Sequence, residues 1–324
     1  MTKPADFLNV LIRHEAYQKA FDALVEAVAM AREQGGGVVP ILGPTRCGKT
    51  ELLKEVCSTL GKEATGPGWM LPAPTARYGV IPSKPSDKDL FISLLRALGH
   101  SCNSNTPTHV IRSRIETAIA DEGIQIIALD ECNHCIESGA NLTLRATGDH
   151  FKRLVDETGV TLILSGLPNF QKVIDGNEQL KARAMSTIFF KPYNWSDEAD
   201  REAFATAVFG LFDHLVENNI SLDFDHDDLA TRLYCLSGGR VGLVLRLLRG
   251  VLSRMKEHKI SMADIQSAAS ILFQERSKVA ILCDDELPND LQQVRSYVEV
   301  MQAAGLELEP STLLELGALS SEPA

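Results

Sequence analysis

Long apolar runs are missing from this 324-residue chain. None approaches the roughly 18 residues that a membrane span requires, so no membrane association is expected. The chain does not open with a basic stretch and an apolar core, so no secretory signal is expected either. Cysteine is scarce. The seven residues, Cys47, Cys57, Cys102, Cys132, Cys135, Cys235 and Cys283, are odd in number and thinly spread. That argues against a disulfide framework and for a reduced, cytoplasmic protein. The Asn-x-Ser/Thr triplets at Asn141, Asn194 and Asn219 then carry no glycosylation meaning. Internal repeats and low-complexity tracts are absent. Basic charge is also short, with 32 Lys and Arg against 43 Asp and Glu and a net charge of −11. What is present, 44% hydrophobic and 23% charged residues, is the balance of a folded globular chain of about two domains.

The acidic balance argues against nucleic acid only on average. Residues 284–324 hold nine acids against one base, Arg295. Residues 66–120 hold six bases, Arg77, Lys84, Lys88, Arg96, Arg112 and Arg114, against three acids. A nucleic-acid partner needs a local basic stripe rather than a basic mean.

Periodicity divides the chain. Apolar residues at helical spacing, including Leu8, Leu11, Ile12, Phe21, Leu24, Val25 and Val28, predict one or two helices over residues 5–33, ended by Gly35-Gly36-Gly37. Short apolar runs predict strands at Val38 to Leu42, Gln125 to Leu129 and Val160 to Leu164, a short one at Thr187 to Phe190, and a weaker one at Trp69 to Ala73. Pro72, Pro74, Pro82 and Pro85 predict an irregular, exposed connection from Leu71 to Ser86. Helices are expected at Thr50 to Leu60, Asp87 to Leu98, Thr108 to Asp121 and Thr147 to Glu157. Strands alternating with helices imply a parallel sheet covered on both faces. Beyond Pro192 the pattern is helical throughout: Asp197 to Glu217, Asp227 to Leu236, Arg240 to Glu257 and Ser261 to Phe273. The expected organisation is an N-terminal helical segment (1–36), an α/β domain (37–192), a small all-helical domain (193–283) and an acidic tail (284–324). The tail is expected to hold one helix, Asp290 to Ala304.

Gly43-Pro44-Thr45-Arg46-Cys47-Gly48-Lys49-Thr50 fits G-x-x-x-x-G-K-[ST] between an apolar strand and a helix, the setting the motif requires. Glycines let successive N–H groups curl around a phosphate, and the following helix N-terminus adds positive potential. Lys49 is expected on the β- and γ-phosphates of ATP, and Thr50 on Mg²⁺. Ile126-Ile127-Ala128-Leu129-Asp130-Glu131 is an apolar strand ending in two acids, the Walker B partner of such a loop. Asp130 is expected to hold Mg²⁺, and Glu131 to activate the attacking water. Cys132-Asn133-His134-Cys135 resembles half a zinc site. No second C-x-x-C completes it, so it reads as part of the nucleotide site.

Further along come Thr161 to Pro168, ending Ser-Gly-Leu-Pro, then Asn177-Glu178-Gln179-Leu180-Lys181-Ala182-Arg183, and Gly238-Gly239-Arg240 in the helical domain. With the loop and the acidic strand, this order resembles an AAA+ ATPase over roughly residues 10–255. More narrowly it resembles the TniB/TnsC type, the regulator ATPases of transposons that carry a DDE transposase. The resemblance implies an α/β P-loop NTPase sheet flanked by helices, followed by a helical lid. It implies a polar sensor at Ser165, with Asn169 as the alternative. It implies an arginine finger at Arg183, with Lys181 as competitor, that reaches a neighbour's γ-phosphate. It places a second sensor at Arg240.

The function so implied is ATP-dependent regulation of DNA transposition. ATP would drive homo-oligomerisation, as a ring or filament, on double-stranded DNA, and the assembly would recruit a transposase with a target-selection protein. Expected DNA contacts are Arg77, Lys84, Lys88, Lys152 and Arg153. A replication-type loader shares the same core, and a nucleotide-gated scaffold without DNA is the reading from another class. The acidic, leucine-bearing tail is expected either to meet a basic partner or to pack on its own helical domain.

Overall fold

The computed structural model of the chain describes residues 13–61, 63–64, 73–103, 105–255, 257–306, 308 and 317–318. It falls into two compact units. One comprises Lys19–Gly43 and Lys49–Phe190; the other comprises the described parts of Met1–Gln18, Pro44–Gly48 and Lys191–Ala324.

The first unit is built on a five-stranded sheet of β1 (Gly37–Leu42), β2 (Ala76–Val80), β3 (Ile126–Asp130), β4 (Thr161–Gly166) and β5 (Ile188–Phe189), in the order β2-β3-β4-β1-β5. All neighbours run parallel. Every residue of β1, β3 and β4 is buried, which is why these strands read as unbroken apolar runs rather than as alternation. Before and between them lie α1 (Glu15–Glu33), α2 (Lys49–Leu60), α3 (Asp87–Ala97), α4 (Thr108–Asp121), α5 (Leu144–Thr158), α6 (Gln171–Asp175) and α7 (Glu178–Lys181). The helix expected over residues 5–33 appears as α1, with Leu24, Val28 and Ala31 fully buried on one face; Leu8, Leu11 and Ile12 lie outside the described residues. Because the sheet is parallel, Leu42, Asp130 and Gly166 end their strands at one edge, and the connections leaving that edge carry the site.

One expectation fails here. The stretch from Leu71 to Ser86 is not wholly irregular, because Ala76–Val80 forms β2, in register with β3 from Ala76↔Ile126 to Val80↔Asp130. Pro74 and Pro82 flank the strand without interrupting it, and β2 is an edge strand, where neighbouring prolines are tolerated. The weak strand expected at Trp69 to Ala73 lies, except for Ala73, outside the described residues.

The second unit packs α8 (Glu198–Glu217), α9 (His226–Ser237), α10 (Val241–Leu252), α11 (Met262–Leu272), α12 (Arg276–Ala280) and α13 (Asp290–Ala303). Its core includes Phe204, Phe212, Tyr234, Leu247 and Ile265. It is not purely helical: β6 (Ser221–Asp223) and β7 (Lys259–Ser261) form a parallel ladder. That pairing also explains why the helix expected over Arg240 to Glu257 stops at Leu252, since the chain must turn to present Lys259–Ser261 to β6. The first part of the acidic segment belongs to this unit. Gln293 Nε2 donates to the Thr231 carbonyl at 3.0 Å, and Ser296 Oγ lies 3.3 Å from Cys235 Sγ. The tail helix therefore packs on its own domain.

Candidate active site

The phosphate loop leaves β1 at Gly43. A Cβ there would lie 2.3 Å from the Phe190 carbonyl oxygen, so only glycine lets the loop start this close to β5. Arg46 and Gly48 take left-handed backbone, at φ 67° and 103°. The loop then enters α2 at Lys49, where the first-turn N–H groups have no intrahelical acceptor. Lys49 Nζ donates to the Gly43 carbonyl at 2.8 Å, so the ammonium is held back across the mouth of its own loop.

Asp130 is the centre of the site. It is 3% exposed and accepts four hydrogen bonds. Oδ2 accepts from Thr50 Oγ1 at 2.6 Å and from the Tyr78 hydroxyl at 3.3 Å. Oδ1 accepts from Ser165 Oγ and from the Glu131 N–H, both at 2.9 Å. Two of the expected Mg²⁺ ligands, Thr50 and Asp130, are thus already in contact. A hydroxyl beside a carboxylate at a phosphate loop is the donor set Mg²⁺ takes together with substrate phosphates, so the residues fit the ion. Among the described residues there is no cluster of three or more His, Cys, Asp or Glu able to hold a metal by themselves.

Glu131 is exposed and left-handed, at φ 58° and ψ 35°. That is uncommon for a side chain of this type, and such strain persists only where surrounding structure enforces it. The turn breaks strand geometry directly after Asp130. One carboxylate is left buried in the sheet edge while the next is presented to solvent.

The residues after Glu131 form a short 3₁₀ turn, Cys132–Ile136, and each has a structural task. Cys132 Sγ donates to the Leu129 carbonyl at 3.3 Å, His134 Nδ1 to the Ile81 carbonyl at 3.0 Å, and Asn133 Oδ1 accepts from the Leu167 N–H at 3.2 Å. Burial pushes both thiols up, Cys135 to about 12 and Cys132 well above its ordinary value. These are packing thiols rather than nucleophiles.

Ser165 and Asn169, alternatives in the sequence, separate in space. Ser165 is fully buried against Asp130, whereas Asn169 is exposed on a separate turn, Pro168–Phe170. Arg183 is not brought to this edge. Its carbonyl accepts from the Val38 N–H at 2.9 Å, at the opposite end of β1. Its guanidinium pairs with Asp156 and donates to the Gln179 carbonyl. The competitor Lys181 pairs with Asp175 at 3.4 Å. In the other unit Arg240 is the N-cap residue of α10 rather than its first turn, and its Nε donates to the Ser237 carbonyl at 2.8 Å. Two residues on, a Cβ at Gly242 would lie 2.2 Å from the Arg46 carbonyl oxygen. The tip of the phosphate loop therefore rests on the first turn of α10.

The expected DNA contacts divide. Arg77 is 12% exposed at its side chain and pairs with Glu122 at 2.9 Å, so it buttresses β2 and does not face a partner. Lys152 pairs with Asp156 at 2.8 Å, and Arg153 with Glu157; both are i,i+4 pairs along α5. Lys84 is exposed with left-handed backbone at φ 48°, and Asn141 fastens its carbonyl at 3.1 Å. Lys88 lies half-buried in the first turn of α3. Tyr78 is the site residue that sequence reasoning missed. It stands 52 residues from Asp130, in a stretch read as loop, and no local pattern marks it. Burial and the carboxylates of Asp130, Glu51 and Glu131 hold its phenol well above the ordinary value, which keeps it a hydrogen-bond donor.

The model of the family described as "Bacterial TniB protein" matches residues 8–192. No curated protein matches. Among solved structures, the Aeropyrum pernix ORC1 protein in complex with DNA is similar over 96% of this chain and 83% of its own, with a TM-score of 0.57 and 17% identity. The A. pernix ORC2 protein, in ADPNP–ADP complexes, is similar over 93% and 88%, with a TM-score of 0.56 and 13% identity. Cdc6p from Pyrobaculum aerophilum is similar over 95% and 85%, with a TM-score of 0.55 and 15% identity. The shared fold is the AAA+ P-loop fold, a parallel sheet with flanking helices and a helical C-terminal domain. No helix of the described residues is long and apolar enough to cross a membrane.

Proposed function

The chain belongs to the bacterial TniB family, and on that premise we propose that it is an ATP-hydrolysing regulator of DNA transposition. It assembles with ATP on double-stranded DNA, recruits or activates a transposase there, and comes apart on hydrolysis. The observation that carries the chemical part of this reading is the Thr50–Asp130–Ser165 chain of hydrogen bonds beside the phosphate loop.

In this reading the loop N–H groups between Gly43 and Thr50, with the start of α2, bind the β- and γ-phosphates. Lys49 leaves the Gly43 carbonyl for them. Thr50 and Asp130 would hold Mg²⁺, which would supply charge neutralisation at the phosphates. Glu131, turned to solvent by its left-handed backbone, accepts the proton of the attacking water. Arg183 serves a neighbouring subunit, and release from Asp156 is part of that engagement. Lys84, exposed on its loop, and Lys88 in the first turn of α3 are the DNA contacts of this reading; Arg77, Lys152 and Arg153 would first have to leave the acids they pair with.

The test is one set of variants read in three assays. Lys49→Ala should lose ATP binding. Glu131→Gln should keep binding, lose at least about 100-fold in hydrolysis, and accumulate on DNA. DNA binding should require ATP, tolerate any sequence and weaken steeply with salt. Hydrolysis by Glu131→Gln at the wild-type rate sinks the water-activating assignment. DNA binding that ignores nucleotide sinks the regulator and favours a scaffold. Helicase loading without transposase stimulation favours a replication role.

A further inference from the structure

Asp130 has no vacant acceptor position. A carboxylate offers about four lone-pair sites, and Thr50, Tyr78, Ser165 and the Glu131 N–H occupy four. Any water carried by a metal ion at Thr50 needs one of them. The four bonds are not equal. Thr50 is close at 2.6 Å, and its hydroxyl can keep donating to Oδ2 while its own lone pair faces the ion. Ser165 and Glu131 donate to the other oxygen at 2.9 Å. Tyr78 shares the metal-facing Oδ2 with Thr50 and is the longest at 3.3 Å, beyond the usual range for O–H···O bonds. We propose that Tyr78 is a competing donor on Asp130, whose long bond to Oδ2 would give way when Mg²⁺–nucleotide loads.

The phenol has somewhere to go. Tyr78 lines a groove of about 740 Å³ beside the exposed edge of β2, with Val80, Pro82, Ser83 and Arg96 among its walls. Val80 is 50% exposed there. Release of Asp130 would leave the phenol free to shift within the groove it already lines, so that occupancy of the metal site would be felt at the outer edge of the sheet. The inference rests on the Mg²⁺–nucleotide reading above. It assigns Tyr78 a positioning role through Asp130, with no contact to the reacting atoms.

The sign of the effect separates this role from simple damage. Removing a buttress weakens metal loading, whereas removing a competitor strengthens it. With the full-length chain and a fluorescent ATP analogue, Tyr78→Phe should lower the half-saturating Mg²⁺ concentration by roughly three- to tenfold, the span of one weak charge-assisted bond. Affinity for the analogue in excess EDTA should not change. In parallel, adding Mg²⁺ to the wild-type protein with a non-hydrolysable ATP analogue should give a near-ultraviolet tyrosine difference spectrum, which Tyr78→Phe lacks. An unchanged or raised Mg²⁺ requirement in Tyr78→Phe, at an unaltered melting temperature, overturns the inference and leaves the ATPase reading standing. If Tyr78→Phe does not fold, the wild-type spectrum decides alone, and a flat difference spectrum overturns the inference. Wild-type nucleotide binding indifferent to Mg²⁺ overturns both readings.

Discussion

Replacing Ser165 with alanine distinguishes two roles for this hydroxyl, placing the attacking water or holding Asp130. Ser165 is fully buried, and its Oγ donates to Asp130 Oδ1 at 2.9 Å. Alanine fits the space, so the loss is the bond itself. A hydrogen bond to a charged group is worth about 1.5–3 kcal/mol. Burial keeps water from replacing it, so the unit should melt roughly 3–10 °C lower. Oδ1 is the oxygen that Thr50 does not bond, so losing the Ser165 bond frees the carboxylate to rotate. The half-saturating Mg²⁺ concentration should rise about tenfold, while kcat at saturating Mg²⁺ falls less than about threefold. A hydroxyl that places the attacking water predicts the reverse, a kcat lower by about 100-fold or more with the Mg²⁺ requirement untouched. The assay is steady-state ATP hydrolysis across a Mg²⁺ titration, with melting curves at each end. A large kcat loss at unchanged Mg²⁺ dependence refutes the holding role.

Gly242→Ala should drive the Arg46 carbonyl out of place, because the added Cβ lands on backbone that cannot swing aside. Overpacking of this kind costs about 1–3 kcal/mol, and equilibrium titration should show nucleotide affinity weakened by about tenfold or more; wild-type affinity would mean that loop and helix move independently. Mixing Arg183→Ala with Lys49→Ala subunits should restore some hydrolysis, since a mixed interface pairs an intact pocket with an intact guanidinium; no recovery in mixtures shown to co-assemble counts against a shared site. Burial lowers His14 from 6.5 to about 4, so protons bind the unfolded chain more tightly than the folded one. Its stabilising contribution is then complete above pH 6.5 and is lost as pH falls from there towards 4, by up to about 3 kcal/mol. Urea midpoints of wild type and His14→Phe should converge in pH dependence over that interval if the reasoning is wrong.

The parts of the molecule legible in the sequence are those whose chemistry is local. The phosphate loop needs its glycines, lysine and threonine side by side, and the strand before Asp130 announces itself because parallel strands are apolar on both faces. Helix α4 runs from Thr108 to Asp121 as its periodicity indicates. What escaped depends on partners far away in the chain. Strand β2 is defined by its register with β3, about 50 residues on, and the prolines around it masked that. Arg77 reads as a free cation until Glu122 is placed beside it. Tyr78 becomes a site residue only because the sheet brings it to Asp130 from 52 positions away. In the acidic tail the leucines drew attention; Leu291, Leu306 and Leu308 do pack, partly buried, but against a cluster formed by Val294, Tyr297, Val298 and Met301 of α13. Leucine content alone does not say which residues face inwards; that depends on where α9 lies.

Strand β1 has a mechanical side as well. It starts beside Arg183, where the Val38 N–H and carbonyl are tied to Arg183 and Met185 at 2.9 and 2.8 Å, and it ends at Leu42, tied to Phe190 at 2.8 Å. Val38 and Leu42 stand four residues apart in extended form, roughly 13–14 Å of backbone at 3.2–3.4 Å per residue, hydrogen-bonded along both sides. Such a rod transmits a pull instead of stretching under it. In the proposed assembly, a neighbour that draws on Arg183 loads one end of this rod, and the other end is the first glycine of the subunit's own phosphate loop. On the proposed trans role of Arg183, each pocket would sense the occupancy of the next through a single strand, and the ring or filament would behave as a chain of links under shared tension.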